Sequence, residues 1–144
     1  MIDDPALPEA EFAFPGPLRD RLVAAVLSGA KTSTTGLRAE YDLPSCDEEL
    51  PVVGQRSAVV DSAGRRVAVL EITAVEVLRL ADVGWEHARD EGEGYTTVAG
   101  WRAAHVAFWE GPEVREAMGD PDFTVDDDTP VVAERFRMVE RRDG

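Results

Sequence analysis

The stretch Arg66–Leu80 constrains the fold more than any other part of the chain. Its odd positions carry Val67, Val69, Thr73, Val75 and Val77, interrupted by Glu71, and its even positions carry Ala68, Leu70, Ile72, Ala74, Leu78 and Leu80. Side chains alternate across a strand, so both faces of this run are apolar. A strand of that kind sits between a β-barrel interior and covering helices, or bends midway to serve two sheets. Before it, Ser57–Asp61 and the Ser-Ala-Gly turn at 62–64 complete a hairpin, and Val131–Val139 alternates as a further strand.

Helices are expected in four places. Pro17 suits a first helical position, and Leu18, Leu22, Ala25 and Val26 follow at helical spacing with Arg19, Asp20 and Arg21 turned away, up to a stop at Gly29. Asp82 is an N-cap for a helix over 83–91, in which Val83, His87, Ala88 and Glu91 share a stripe. That puts the Glu91 carboxylate on the core side, a costly position unless a partner is supplied. After the break at Gly92-Glu93-Gly94, Thr96 or Thr97 caps a helix whose stripe is Trp101, Ala104, His105, Phe108 and Trp109, ended by Gly111-Pro112. A shorter helix over Glu113–Met118 precedes an aspartate-rich loop at 120–128, which lacks the glycine and closing glutamate of a calcium loop. Residues 39–56 read as a loop over one end of the domain with Tyr41 and Leu43 tucked inward, and residues 1–13 as a loosely held lead-in.

At 144 residues, 44% of them hydrophobic, the chain forms one domain with a real core. Fifteen basic against twenty-nine acidic residues give a net charge of −14, which disfavours a long phosphate backbone as partner and favours small ligands. Cys46 has no second cysteine to pair with, and one Cys with two His falls short of a structural zinc set, so neither metal nor cofactor is expected. The opening Met-Ile-Asp-Asp-Pro has no signal-peptide character and no apolar run approaches spanning length, from which a cytoplasmic protein with no membrane contact is expected.

Chemistry concentrates at residues 29–38, Gly-Ala-Lys-Thr-Ser-Thr-Thr-Gly-Leu-Arg, where an amine stands beside four hydroxyls between two glycines. The stretch suits either a positioned nucleophile or a polar connection into a strand. His105, within an aromatic stripe and with Arg102 at its margin, is either a core histidine donating to a backbone carbonyl or a ligand contact.

Gly-Ala-Lys-Thr-Ser-Thr, the hairpin end Val-Leu-Glu-Ile-Thr, His-Ala-Arg-Asp-Glu-Gly-Glu-Gly, Trp-Arg-Ala-Ala-His-Val-Ala-Phe-Trp and Val-Val-Ala-Glu-Arg-Phe follow one another in an order that resembles an ASCH domain, over about Phe14–Val139. The resemblance implies an α+β (mixed) fold, a PUA-like small β-barrel with surrounding helices, in a single domain at 14–140. It also implies an RNA- or nucleoside-related role. One small bacterial branch hydrolyses N4-acetylcytidine with the lysine and second threonine of a Lys-Thr-x-Thr motif and the glutamate of His-Ala-x-x-Glu, which fall on Lys31, Thr34 and Glu91 here. Where that branch carries an arginine two residues after the second threonine, this chain has Gly36, and Arg38 is the nearest arginine. The resemblance thus implies amide cleavage in which Thr34 attacks, neutral Lys31 takes its proton and Glu91 orients the lysine or shares its proton, with Arg38, Tyr95, Arg102 and His105 as substrate contacts. Residues 31 and 34 point to opposite faces of a regular strand, so Lys31 has to lie in the turn. A noncatalytic nucleoside-, nucleotide- or RNA-binding module is the other class of reading, and a ribonuclease a third.

Overall fold

A computed structural model describes residues 1–46 and 48–142; residue 47 of the expected 39–56 loop lies outside them. The elements run β1 (Glu9–Ala10), α1 (Pro17–Ser28), β2 (Ser33–Leu37), β3 (Arg56–Val60), β4 (Arg66–Arg79), α2 (Trp85–Asp90), α3 (Val98–Trp109), α4 (Pro112–Met118) and β5 (Pro130–Arg141). The five strands form one mixed sheet in the order β1-β3-β4-β5-β2, in which only β1 and β3 run parallel, and the fold is α+β.

β4 is the central strand, and it is two-sided over half its length. Ala68, Val69, Leu70 and Ile72 are buried, whereas Thr73, Ala74, Glu76 and Val77 are exposed. The expectation of an apolar environment throughout is corrected by the pairing. β3 reaches only as far as the Arg56↔Glu71 pair, so beyond it β4 keeps β5 as its one neighbour. Register shifts between Val69 and Leu70 and between Ile72 and Ala74 bend the ribbon there, as bulges do.

Two apolar clusters flank the sheet. Leu22, Val23 and Val26 of α1 pack with Phe12, Val59, Ala68, Leu70, Ile72 and Phe136. Trp101 and Trp109 of α3 pack with Leu37, Leu80, Val83, Ala88, Val114 and Val131. Each such side chain stabilises by about 1.5–3 kcal/mol when fully buried.

Residues 1–13 make specific contacts with the sheet. Ile2 and Phe12 are buried, β1 pairs with β3, and the Arg66 guanidinium donates to the carbonyls of Ile2, Asp4 and Leu7. Arg19, expected to turn outward, is 4% exposed because its guanidinium serves the Phe12 and Ala13 carbonyls. α2 starts at Trp85 and not at 83: Leu80–Asp82 forms a 3-10 turn, Asp82 pairs with Arg79, and Gly84 enters the helix from an extended conformation. The Thr97 hydroxyl caps α3 by accepting from Gly100 N at 3.0 Å.

Glu71, the acid that breaks the apolar face of β4, accepts from Arg56 Nε at 3.0 Å and Arg137 Nη2 at 2.8 Å, which hold its carboxyl below the usual range. Its pairing is structural. Glu71→Gln is expected to lower the urea midpoint slightly and leave any turnover unchanged, as parallel unfolding and activity measurements will show; loss of turnover alone would make Glu71 the working acid.

Candidate functional site

The site is made by two turns that only glycine permits. Gly29 ends α1 in a left-handed conformation, φ 86°, so the chain leaves the helix and delivers Lys31 in the turn before β2. Against that turn lies the segment after α2, joined to it by Thr32 N donating to the Asp90 carbonyl at 2.8 Å. Gly92 has φ 71°, and a Cβ there would stand 2.4 Å from the Ala30 carbonyl oxygen. No side chain fits, and the close approach brings Lys31 to Glu91, sixty residues on.

Lys31 and Glu91 are 2% and 1% exposed, and their side chains meet at 3.4 Å between Nζ and Oε1. Lys31 Nζ also donates to the carbonyls of Ser33 at 2.9 Å and Glu91 at 3.4 Å, and Glu93 Oε2 is 3.8 Å away. Glu91 Oε2 accepts from Trp101 Nε1 at 2.7 Å and from the Thr35 hydroxyl at 2.9 Å, and Oε1 stands 3.3 Å from His105 Nε2. Thr35 spends its proton on Glu91, so its oxygen accepts from His87 Nε2 at 2.7 Å. His105 Nδ1 donates to the Trp101 carbonyl at 2.9 Å, which fixes the ring, and the ring stacks on the Trp101 indole.

These contacts set the charges. Burial pushes the Glu91 carboxyl up, but the His105 hydrogen bond, the Lys31 charge and Thr35 outweigh it and hold it well below the usual carboxylate range. Burial pushes His105 down, and the hydrogen bond and charge of Glu91 overcome it and raise its pKa. Glu93 is raised by burial, with Lys31 pulling the other way. Glu91 is thus held as an anion, and Glu93 Oε2 lies 3.8 Å from the Lys31 ammonium nitrogen. Glu91, Glu93 and His105 have ligand atoms within 4.8 Å of one another, a set with metal-ligating chemistry; the Lys31 ammonium supplies the countercharge between the two carboxylates.

Lys31, Thr34, Glu91, Tyr95 and His105 line one cavity of about 1300 Å³, which Tyr41 and Leu43 also line. Arg38 and Arg102, expected as substrate contacts, do not line it. Arg38 turns to Asp42 at 3.1 Å, and Arg102 to Asp127 and the Ala81 carbonyl, because each has an acceptor close by on its own side of the fold. Ser33 and Thr35 bond to His87 of α2, whereas Thr34 has the opposite parity and stands beside its pairing partner Glu134; Thr34 and Thr35 both line the cavity. Glu93, His87 and the Trp101 indole join the site with no role in it expected from the sequence, and Thr35, one of the four hydroxyls beside Lys31, enters it as the partner of Glu91. Thr35 is legible as the residue sharing a strand face with Ser33, and Trp101 as the stripe neighbour of His105.

The family model of the ASCH domain matches residues 11–140. The chain belongs to the ASCH domain family. Among solved structures, this ASCH protein is similar to a protein from Enterococcus faecalis V583, at 24% identity over 93% of this chain and 77% of that one, with a TM-score of 0.79. It is equally similar to an ASCH domain from Lactobacillus crispatus JV V101, at 24% identity over 94% and 80%, TM-score 0.78. An ASCH protein from Zymomonas mobilis aligns at 13% identity over 91% and 67%, TM-score 0.50. These likenesses show the fold, a PUA-like curved sheet with helices around it. No curated protein matches. No helix among the described residues is long and apolar enough to cross a membrane.

Buried ionisable groups make the ASCH domain pH-sensitive. Glu134 is pushed up to about 7 by burial and then by the charge of Glu48, so between its unfolded value of 4.5 and about 7 the native state binds the extra proton and stability falls as pH rises. His105 has the same sign: its raised pKa contributes stability fully present below 6.5 and lost as pH rises through the folded value. The urea midpoint is expected to drop from about pH 6 to about pH 8, and Glu134→Gln to flatten part of that drop. A midpoint rising over that window would contradict both assignments.

Proposed function

We propose that this ASCH protein binds an uncharged nucleoside-like compound in the cavity and hydrolyses an acyl amide on its base. The observation that supports the reading is that Lys31, Thr34 and Glu91 line the same cavity, with the lysine held 3.4 Å from the glutamate. The ligand is uncharged because Glu9, Glu11, Glu40, Glu48, Glu49, Glu91, Glu93 and Glu134 line the cavity against Arg19, Arg21 and Lys31, a field that opposes a phosphate.

In the reaction Thr34 Oγ1 attacks the acyl carbonyl as its proton passes to Lys31. Lys31 hands a proton on to Glu93, 3.8 Å away, as it takes the one from Thr34, while Glu91 keeps the lysine in place. The tetrahedral adduct collapses, the C–N bond breaks, and Lys31 returns the proton to the departing nitrogen. Water then cleaves the acyl–Thr34 ester, releasing the carboxylic acid and restoring the hydroxyl. His105 and Tyr95 bound the space in which the base rests.

A noncatalytic receptor for the same ligands is the second reading, favoured by one observation: Glu91 takes donors from Lys31, Trp101, Thr35 and His105 at once, the arrangement of a static anchor. The two separate on a panel of N4-acylated cytidines followed by ultraviolet absorbance. The expected result is release of cytidine, with the 5′-monophosphates turned over about tenfold less efficiently or worse. Binding of the panel without any release would leave the receptor reading standing in place of the hydrolase.

A further inference from the structure

Glu134 and Thr34 are directly opposed on β5 and β2, on the same face of the sheet, with their Cβ atoms about 5 Å apart as in any such pair. Both line the cavity. Among the described residues no hydrogen bond reaches the Thr34 hydroxyl or the Glu134 carboxyl, although the neighbouring hydroxyls of Ser33 and Thr35 are both engaged. A half-buried carboxyl with no hydrogen-bond partner among the described residues, beside the hydroxyl assigned as nucleophile, is a polar group left for a ligand.

We propose that Glu134 is the base-reading residue of the cavity, pairing through both its oxygens with the ring nitrogen and the adjacent exocyclic N–H of the nucleobase, and so placing the exocyclic amide at Thr34. The proposal rests on the hydrolase reading for its ligand class. A protonated carboxyl offers one O–H donor and one C=O acceptor side by side, which matches a base edge with an acceptor nitrogen next to an N–H. An ionised carboxylate is acceptor-only and would repel the ring nitrogen lone pair. The surroundings favour the protonated form. Facing Glu134 are Tyr41 from the 3-10 turn Arg38–Asp42 and Glu48 from the loop after it, with uncharged Thr34 and Val75 beside it on β2 and β4, and Glu40 lines the same cavity. Lys31, Glu91, Glu93 and His105 line the same cavity, and Lys31 is committed to Glu91 and to the Ser33 carbonyl. Burial and the charge of Glu48 push the Glu134 carboxyl up to about 7, so it is largely protonated in mildly acidic solution.

The test is the affinity of the full chain for cytidine and for N4,N4-dimethylcytidine, which lacks the exocyclic N–H, measured by calorimetry from about pH 5.5 to about pH 8.5. In the wild type, cytidine is expected to bind about tenfold more tightly than the dimethyl compound at low pH, and to weaken as pH rises through about 7. Glu134→Ala should erase both the preference and the pH dependence. Glu134→Gln, whose amide keeps a donor beside an acceptor, should restore cytidine binding and hold it level across the range. A preference unchanged in Glu134→Ala, or a pH dependence unchanged in Glu134→Gln, would overturn the assignment. If the wild type still released cytidine from N4-acetylcytidine in that case, the hydrolase reading would survive the loss of Glu134; if it neither bound nor cleaved any cytidine, both would fall together.

Discussion

Lys31→Met is expected to destabilise the protein by about 3–5 kcal/mol, the cost of leaving a buried charge without its partner. Methionine matches the length and flexibility of the lysine stem, so packing against Phe12, 5.6 Å from Nζ, is largely kept and the loss is electrostatic. What remains is Glu91, 1% exposed and still an anion because Trp101, Thr35 and His105 continue to donate to it. The Ser33 carbonyl loses its donor as well. For a chain of 144 residues the thermal midpoint should fall by roughly 10 °C. Glu91→Gln alone should cost less, since Lys31 keeps the two carbonyls and has Glu93 nearby. The double variant should be more stable than the sum of the single losses by about 1–3 kcal/mol, the coupling of a buried pair. Thermal unfolding of the four proteins of this cycle decides it: additive losses would mean that the Lys31–Glu91 pair carries no stability of its own.

The buried position of Glu91 and the turn that carries Lys31 are legible in the sequence, and the features that are not have a common cause. Glu91 stands on the buried side of α2 because a 3.6-residue period aligns it with Ala88, and Gly29 stops α1 where the chain must turn to free Lys31 from the strand. Those are local rules, and they held. The partners of Glu91 were out of reach because Thr35 and Trp101 meet it only through tertiary packing across 56 and 10 residues. Arg19 differs from its helical spacing for a related reason: the spacing puts it with the charged face, but the carbonyls of Phe12 and Ala13 satisfy a buried guanidinium. Arg38 and Arg102 show the reverse, long side chains that reach the nearest acceptor and not a distant cavity. The apolar pattern of β4 likewise described what the strand can bury; the early end of β3 determined how much of it is covered.

Thr34→Ala is expected to lower kcat on N4-acetylcytidine by about 10³-fold or more, the effect of removing a covalent nucleophile. Stability should hardly change, because the hydroxyl is half-buried and bonded to no protein group among the described residues, which separates this variant from those at Lys31. KM should stay within a few-fold, since the hydroxyl forms its bond only as the carbonyl is attacked. Thr34→Ser keeps the reacting oxygen and should retain part of the rate. The deciding measurement is steady-state release of cytidine by the wild type and by Thr34→Ala under identical conditions. Release by the wild type with a thousandfold loss in the variant is the predicted result. Equal release by both, or cytidine derivatives bound by the wild type and never cleaved, would contradict the assignment of Thr34, Lys31 and Glu91 as a hydrolytic site.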